Sequence, residues 1–178
     1  MPRYRPPIKD EERVIRDPEK SAKMTFDRAV NLLTYRPRSE EELRTRLLEK
    51  PWTNQEIVGE VIGKLKKYGY IDDEDFARGL AKSKLKQKPL GRFRLKHDLR
   101  RKKLDEATIE AALDDAFEEI PEEDLIERAI EKRIRVRGEP KDRSDKKKLF
   151  DHLVRQGFGY DLIRDRLEQI KLESEEYS

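Results

Sequence analysis

The sequence predicts an all-α protein, built as an elongated tandem array of three three-helix units with helix-turn-helix-like repeats. Three observations predict it: apolar residues recur at helical spacing, the pattern returns about every fifty residues, and capping residues return with it. The first is seen in Leu43, Leu47, Ile57, Val61 and Leu65. Adding 52 to each number gives Leu95, Leu99, Ile109, Leu113 and Phe117. A further 54 gives Leu149, Leu153, Ile163, Leu167 and Lys171. Positions four apart share one helix face, so each set describes two buried stripes.

The punctuation repeats in the same frame. Ser39, Gly91 and Asp145 precede the first helix of each pair, and Thr53, Asp105 and Gly159 precede the second. All are residue types that cap a helix N-terminus, where unpaired N–H groups need an acceptor or a permissive backbone. Ser39 with Glu42 and Thr53 with Glu56 have capping-box spacing. Trp52, Leu104 and Phe158 stand where a hydrophobic staple to Ile57, Ile109 and Ile163 is expected.

Along the chain, residues 1–23 hold Pro2, Pro6, Pro7 and Pro18 and few apolar groups, and they read as a flexible N-terminal arm. The three units are expected at 24–71, 72–120 and 121–172, with 173–178 as a tail. Each opens with a further helix: Phe26–Tyr35, Phe76–Lys86 and Leu125–Val136. Gly69 suits a left-handed C-cap, and Asp72 or Asp73 caps the next helix. Gly138-Glu139-Pro140 breaks the third unit and accounts for its longer period.

Composition bounds the function. Charged residues make up 46% and hydrophobic residues 34%, which suits small helical cores that stack on one another rather than one round core. There is no cysteine, so thiolate metal sites and disulfides are excluded. No apolar run reaches the length of a membrane helix and no signal peptide is seen, so a cytoplasmic location and no membrane partner are expected. His97 and His152 align in the repeat with Asp151 and Asp98, and neither has the spacing of a metal or triad motif. Glycine-rich phosphate loops are absent. No enzyme activity, cofactor or metal is expected.

Charge is segregated along the chain. From Lys82 to Lys103 the sequence is basic, with Asp98 the one acid, and from Asp105 to Glu131 it is acidic apart from Arg128. Lys132 to Lys148 is basic again. With about 100° per residue, Leu95 and Leu99 mark the buried side of the middle helix. Arg92, Lys96, Arg100 and Lys103 then line one flank. This stripe, with Arg94, Arg101 and Lys102, is the expected contact for a phosphate backbone or an acidic protein surface, and Arg36, Arg38, Lys84 and Lys88 are further candidates. A solvated solubility surface is the plain alternative. Phe93 lies off the buried side, to stack on a partner or, by preference, to pack on a neighbouring unit.

Several strings resemble the RecX family of recombinase regulators. RPRSEEELRTRL at 36–47 is similar to the family's first-unit pattern. YGYIDDEDFA at 68–77 resembles its Gly-Tyr-Leu-Asp-Asp…Phe-Ala signature, with Ile71 for leucine, and LGRFRLKHDLRRKKL at 90–104 its second-unit stretch. Gly91 is not followed by proline, Phe93 and Leu95 replace the usual arginine-isoleucine order, and Lys103 stands where glycine is frequent. The resemblance implies a monomeric regulator that lies in the groove of the RecA–DNA filament. It implies suppression of the recombinase's ATPase, strand exchange and coprotease functions, with weak binding of single- or double-stranded DNA. It supplies no catalytic residues.

Two other readings compete. A helix-turn-helix DNA-binding protein would need exposed base-reading residues at the start of each third helix, and only Asn54-Gln55 fits. A purely structural scaffold would leave the basic stripe without a partner.

Overall fold

The computed structural model describes residues 8–170. Residues 1–7 of the expected arm and the tail at 173–178 lie outside them. The described residues form nine α-helices and a short 3-10 turn, Asp10–Glu12, with no strand among them. The helices are α1 (Pro18–Tyr35), α2 (Glu40–Leu48), α3 (Gln55–Lys67), α4 (Asp73–Gln87), α5 (Arg92–Arg100), α6 (Glu106–Glu119), α7 (Glu122–Arg137), α8 (Arg143–Gln156) and α9 (Tyr160–Glu168). They group by contact into two compact units. One holds the residues up to Phe76 with Lys102–Leu104, and the other holds Ala77–Arg101 with the residues from Asp105 on.

In the first unit α1, α2 and α3 enclose Ala29, Leu43, Leu47, Val58, Ile62 and Leu65, all at most 2% exposed. Each large apolar side chain so buried contributes about 2 kcal/mol relative to exposure. Helix α1 starts eight residues before the expected Phe26. Asp17 accepts the N–H of Lys20 and Pro18 occupies the first turn, so the residues from Pro18 to Lys23, expected in the arm, are helical. Proline there is a start signal rather than a linker signal. Arg13, also expected in the arm, is held by four carbonyls, those of Ile8, Leu48, Lys50 and Thr53, at 2.8–2.9 Å.

Helix α2 begins as its sequence requires: Ser39 accepts from the N–H of Glu42 at 3.2 Å. The cap of α3 falls one residue later than expected. Asn54 Oδ1 accepts from Ile57 at 2.9 Å, while Thr53 is 1% exposed, because the asparagine is an equally good cap set closer to the helix. After α3 the chain turns through Gly69 at φ +71°, and Tyr70 N–H reaches the Leu65 carbonyl while Gly69 N–H reaches that of Lys66. This two-bond closure satisfies the last carbonyls. Asp72, rather than Asp73, then caps α4, accepting from Glu74 and Asp75.

The second unit contains the rest of α4 with α5–α9. Leu95, Leu99, Ile109, Leu113, Leu153 and Ile163, all repeat positions, are fully buried. Phe117 is half-buried, with the Arg92 guanidinium 5.9 Å from its ring centre. Helix α8 begins at Arg143 with Asp142 as its cap. The expected cap, Asp145, instead lies in the first turn and gives its N–H to Asp142. Asp142 falls three residues ahead of the repeat frame, so the frame alone does not point to it.

The N-terminus of α5 has no capping side chain of its own, since its cap is Gly91. Its N–H groups are met from elsewhere in the same unit. Gly91 donates to the Gln156 carbonyl at 3.0 Å, Phe93 to that of Gly157 at 3.1 Å, and Arg92 to the Glu122 carboxylate at 2.8 Å. In the first unit, Glu40, the repeat equivalent of Arg92, likewise donates its N–H to a carboxylate, Asp73, at 2.8 Å. Asp73 and Glu122 each stand in the first turn of the helix that opens the following repeat. The same kind of acceptor serves the same helix end in both repeats.

Candidate functional site

The basic stripe of α5 faces the acidic helix α6. Helical spacing puts Arg92, Lys96 and Arg100 on one line of α5 and Glu106, Glu110 and Asp114 on one line of α6. The two helices run so that the lines meet head to tail. Arg92 lies 2.7 Å from both Glu110 and Asp114, Lys96 2.6 Å from Glu106 and in contact with Glu110, and Arg100 2.7 Å from Glu106. The two oppositely charged segments of the sequence are therefore partners of one another.

The electrostatics follow. Bonds from Arg100 and Lys96 lower Glu106 to about 2, and bonds from Lys96 and Arg92 lower Glu110 as well. Lys96 is raised by Glu106 and Glu110, and Arg100 by Glu106. Burial works to lower Arg92, but its bonds to Asp114 and Glu110 outweigh it and the group is raised. Each cation of this ladder is held ionised against a carboxylate, so the ladder presents little net positive charge.

The remaining expected contacts divide. Lys103 leaves the line of the stripe: it sits beyond α5 at φ +57°, donates to Thr45 Oγ1 at 3.1 Å and lies 3.8 Å from Glu41. Lys102 pairs with Glu42 at 3.0 Å, and its carbonyl accepts the Ser39 hydroxyl at 2.5 Å. Lys84 and Arg94 converge on Asp98 at 2.7 and 3.7 Å. Asp98 is lowered: burial works to raise it, but the bond from Lys84 and the charge of Arg94 prevail. Arg36 lies 3.6 Å from Glu42. Arg38 is only 8% exposed and its basicity is lowered, first by burial and then by Arg36, so it is a buried group and not a surface contact. Arg101 and Lys88 are exposed and make no ion pair among the described residues.

Phe93 is 69% exposed, contrary to the expectation that it packs away. Tyr160 is also exposed and stacks on Phe150 with ring centres 5.8 Å apart. Asn54, the residue best suited to base reading under the helix-turn-helix alternative, commits its side-chain oxygen to Ile57 N–H.

The repeat matches known proteins in order. Models of the first, second and third three-helix domains of RecX match residues 26–65, 72–113 and 121–167. The regulatory protein RecX of Bacillus subtilis (strain 168) is 32% identical over 155 residues, covering 86% of this chain and 58% of that protein. RecX of Chlorobium phaeobacteroides (strain BS1) is 30% identical over 148 residues, covering 83% of this chain and 94% of that protein. The chain thus spans less than two thirds of the Bacillus relative and nearly all of the Chlorobium one. The crystal structure of RecX from Lactobacillus salivarius superposes with a TM-score of 0.72 at 23% identity over 85% of this chain and 96% of that one, which supports the fold. Core, repeat order and sequence agree, and this chain belongs to the RecX family of regulatory proteins.

Proposed function

We propose that this chain binds the recombinase RecA in the groove of the RecA–DNA filament and lowers its ATPase, strand-exchange and coprotease activities. On this reading it acts in the cytoplasm as a monomer and catalyses no reaction of its own. The observation that carries the proposal is the match of all three helical units, in order, to a family whose curated members are named regulatory proteins. Several modest contacts made by one chain to a repeating filament gain from effective concentration, so no single surface needs to bind tightly.

Within the middle unit, Arg101, Lys88 and the half-exposed Arg94 are better placed to reach a partner than Arg92, Lys96 and Arg100, whose charges are answered by α6. The deciding experiment adds the purified chain to preformed RecA filaments on single-stranded DNA and follows ATP turnover. Falling turnover at micromolar protein is expected. Unchanged turnover, with unchanged LexA-type cleavage, would rule the reading out.

A further inference from the structure

The third repeat departs from the second along the line where the charge ladder runs. Adding 54 to the ladder positions turns Arg92, Lys96, Glu106, Glu110 and Asp114 into Lys146, Phe150, Tyr160, Arg164 and Glu168. The Lys96–Glu106 ion pair is thus replaced by the stack of Phe150 on Tyr160, with ring centres 5.8 Å apart. The Arg92–Glu110 pair is replaced by two like charges, Lys146 and Arg164. Lys146, Phe150, Arg164 and Glu168, with Lys147 and Leu167, line an open groove of about 330 Å³ between α8 and α9. Lys146 and Lys147 make no ion pair among the described residues, and Arg164 reaches only the exposed Asp161, at 3.8 Å. Glu168 is the one acid of the wall and pairs with none of the three cations. Like charges gathered along one groove reinforce one another's field and favour an anionic occupant.

The repeat frame also supplies an anion for them. In the first two repeats the start of the second helix is met by a carboxylate from the first turn of the helix that follows the repeat. Asp73 accepts the N–H of Glu40 and Glu122 that of Arg92, each at 2.8 Å. Lys146 holds the same position in the third repeat, and the frame carries Glu122 onto Glu176. Glu176 stands with Glu173 and Glu175 in a stretch, 172–178, that has three acids and no cation. The backbone contact of the earlier repeats is not available to it. Helix α8 starts three residues early, so the Lys146 N–H is already bonded to the Asp142 carbonyl at 3.0 Å. The groove offers the Lys146 and Lys147 ammonium groups and the Arg164 guanidinium in its place.

We propose that the segment 172–178 docks on this groove, with the Glu173, Glu175 and Glu176 carboxylates against Lys146, Lys147 and Arg164. Reach permits it. Ile170 closes a turn at the end of α9 by giving its N–H to the Leu167 carbonyl at 3.3 Å, and Leu167 itself lines the groove. The stretch from Ile170 to Glu176 can span about 20 Å, against about 8–10 Å between the axes of two packed helices. Exposed ion pairs are weak one by one, but three on a short tether gain from effective concentration. The docked segment neutralises the groove. It therefore also withholds these cations from any other acidic surface, and salt releases them.

This inference does not depend on the recombinase reading, and its test contains no recombinase, so either can fail alone. Amide NMR spectra of the full chain are compared with those of E173Q/E175Q/E176Q at low salt. The amides of Lys146, Lys147, Phe150 and Arg164 are expected to shift in the variant, while those of the first unit are unchanged. The difference should vanish in 1 M salt, where the screening length falls to about 3 Å. K146E/K147E should reproduce the loss of contact. K146E/K147E/E175K/E176K should restore it, seen as the return of salt-sensitive shifts in both segments. Groove amides that do not respond to E173Q/E175Q/E176Q would overturn the proposal and leave the groove to a different acidic partner. A charge swap that restores nothing would overturn the pairing. Shifts that fade on dilution would assign the segment to the groove of a second copy and overturn the contact within one chain.

Discussion

The N–H of Gly91 donates to the carbonyl of Gln156 at 3.0 Å, and a Cβ on Gly91 would stand 2.3 Å from the carbonyl of Gly157. A Cβ on Gly157 would in turn meet the Arg94 backbone nitrogen at 2.2 Å, and Gly157 sits at φ +89°. The start of α5 and the end of α8 therefore touch backbone to backbone, and both glycines are required by space.

Gly91→Ala should destabilise the protein by about 2–4 kcal/mol, since neither backbone can yield without breaking the bonds that cap α5. Gly63→Ala is the control. Gly63 is an exposed interior position of α3 where a Cβ meets nothing within 4 Å, so the exchange should stabilise by about 0.5–1 kcal/mol. Urea denaturation of both variants checks the pair of opposite signs.

Arg13→Ala should cost about 3 kcal/mol. Its guanidinium bonds the Leu48, Lys50 and Thr53 carbonyls at 2.8–2.9 Å around the end of α2, as well as that of Ile8. Hydrogen bonds from a charged donor contribute about 1.5–3 kcal/mol, and the truncation strands acceptors that are partly buried. Arg13→Lys should recover only part of the loss, because one ammonium cannot match the fork geometry. Thermal melts of the three proteins provide the ranking.

These two sites show where the sequence was legible and where it was not. The core was readable because its signal is local and periodic: Leu43, Leu95 and Leu149 hold one position in three repeats, and all three are buried. Ser39 and Asp105 were readable for the same reason, as caps acting on N–H groups three residues away. Arg13 was not, because its partners lie 35 or more residues on, apart from Ile8. The pairing of α5 with α6 needed the register between two helices, which a charge tally along the chain does not contain. Each charged run was visible, but which faced which was not.

Lys103 is the described non-glycine residue with positive φ, at +57°. It is the repeat equivalent of Gly157, and a Cβ in this region costs about 1–2 kcal/mol. Lys103→Gly removes that strain but gains unfolded-state entropy and loses the exposed bond to Thr45. The net expectation is a stabilisation of about 0.5 kcal/mol, read as a rise in urea midpoint at unchanged slope. A loss of stability would mean that the bond to Thr45 and the ion pair with Glu41 outweigh the backbone strain.

The α5–α6 ladder sets a pH dependence. Glu106 is depressed from its ordinary 4.5 to about 2 by Arg100 and Lys96. A depressed carboxylate stabilises the folded chain above its unfolded value, and that contribution is lost as pH falls from about 4.5 towards 2. Glu106→Gln should therefore melt below the native protein at pH 7, and the gap should close as the pH is lowered through that window. A carbon-detected NMR titration of the Glu106 carboxyl should find its midpoint near 2. Neutralising Arg92, Lys96 and Arg100 together leaves Glu106, Glu110 and Asp114 facing one another without counter-ions, so that variant should also lose stability at neutral pH. Restoring the balance with E106Q/E110Q/D114N in the same chain should recover most of the melting temperature. If the three cations are neutralised alone and the melting temperature does not move, the ladder contributes nothing to the fold and the stripe is free to serve a partner.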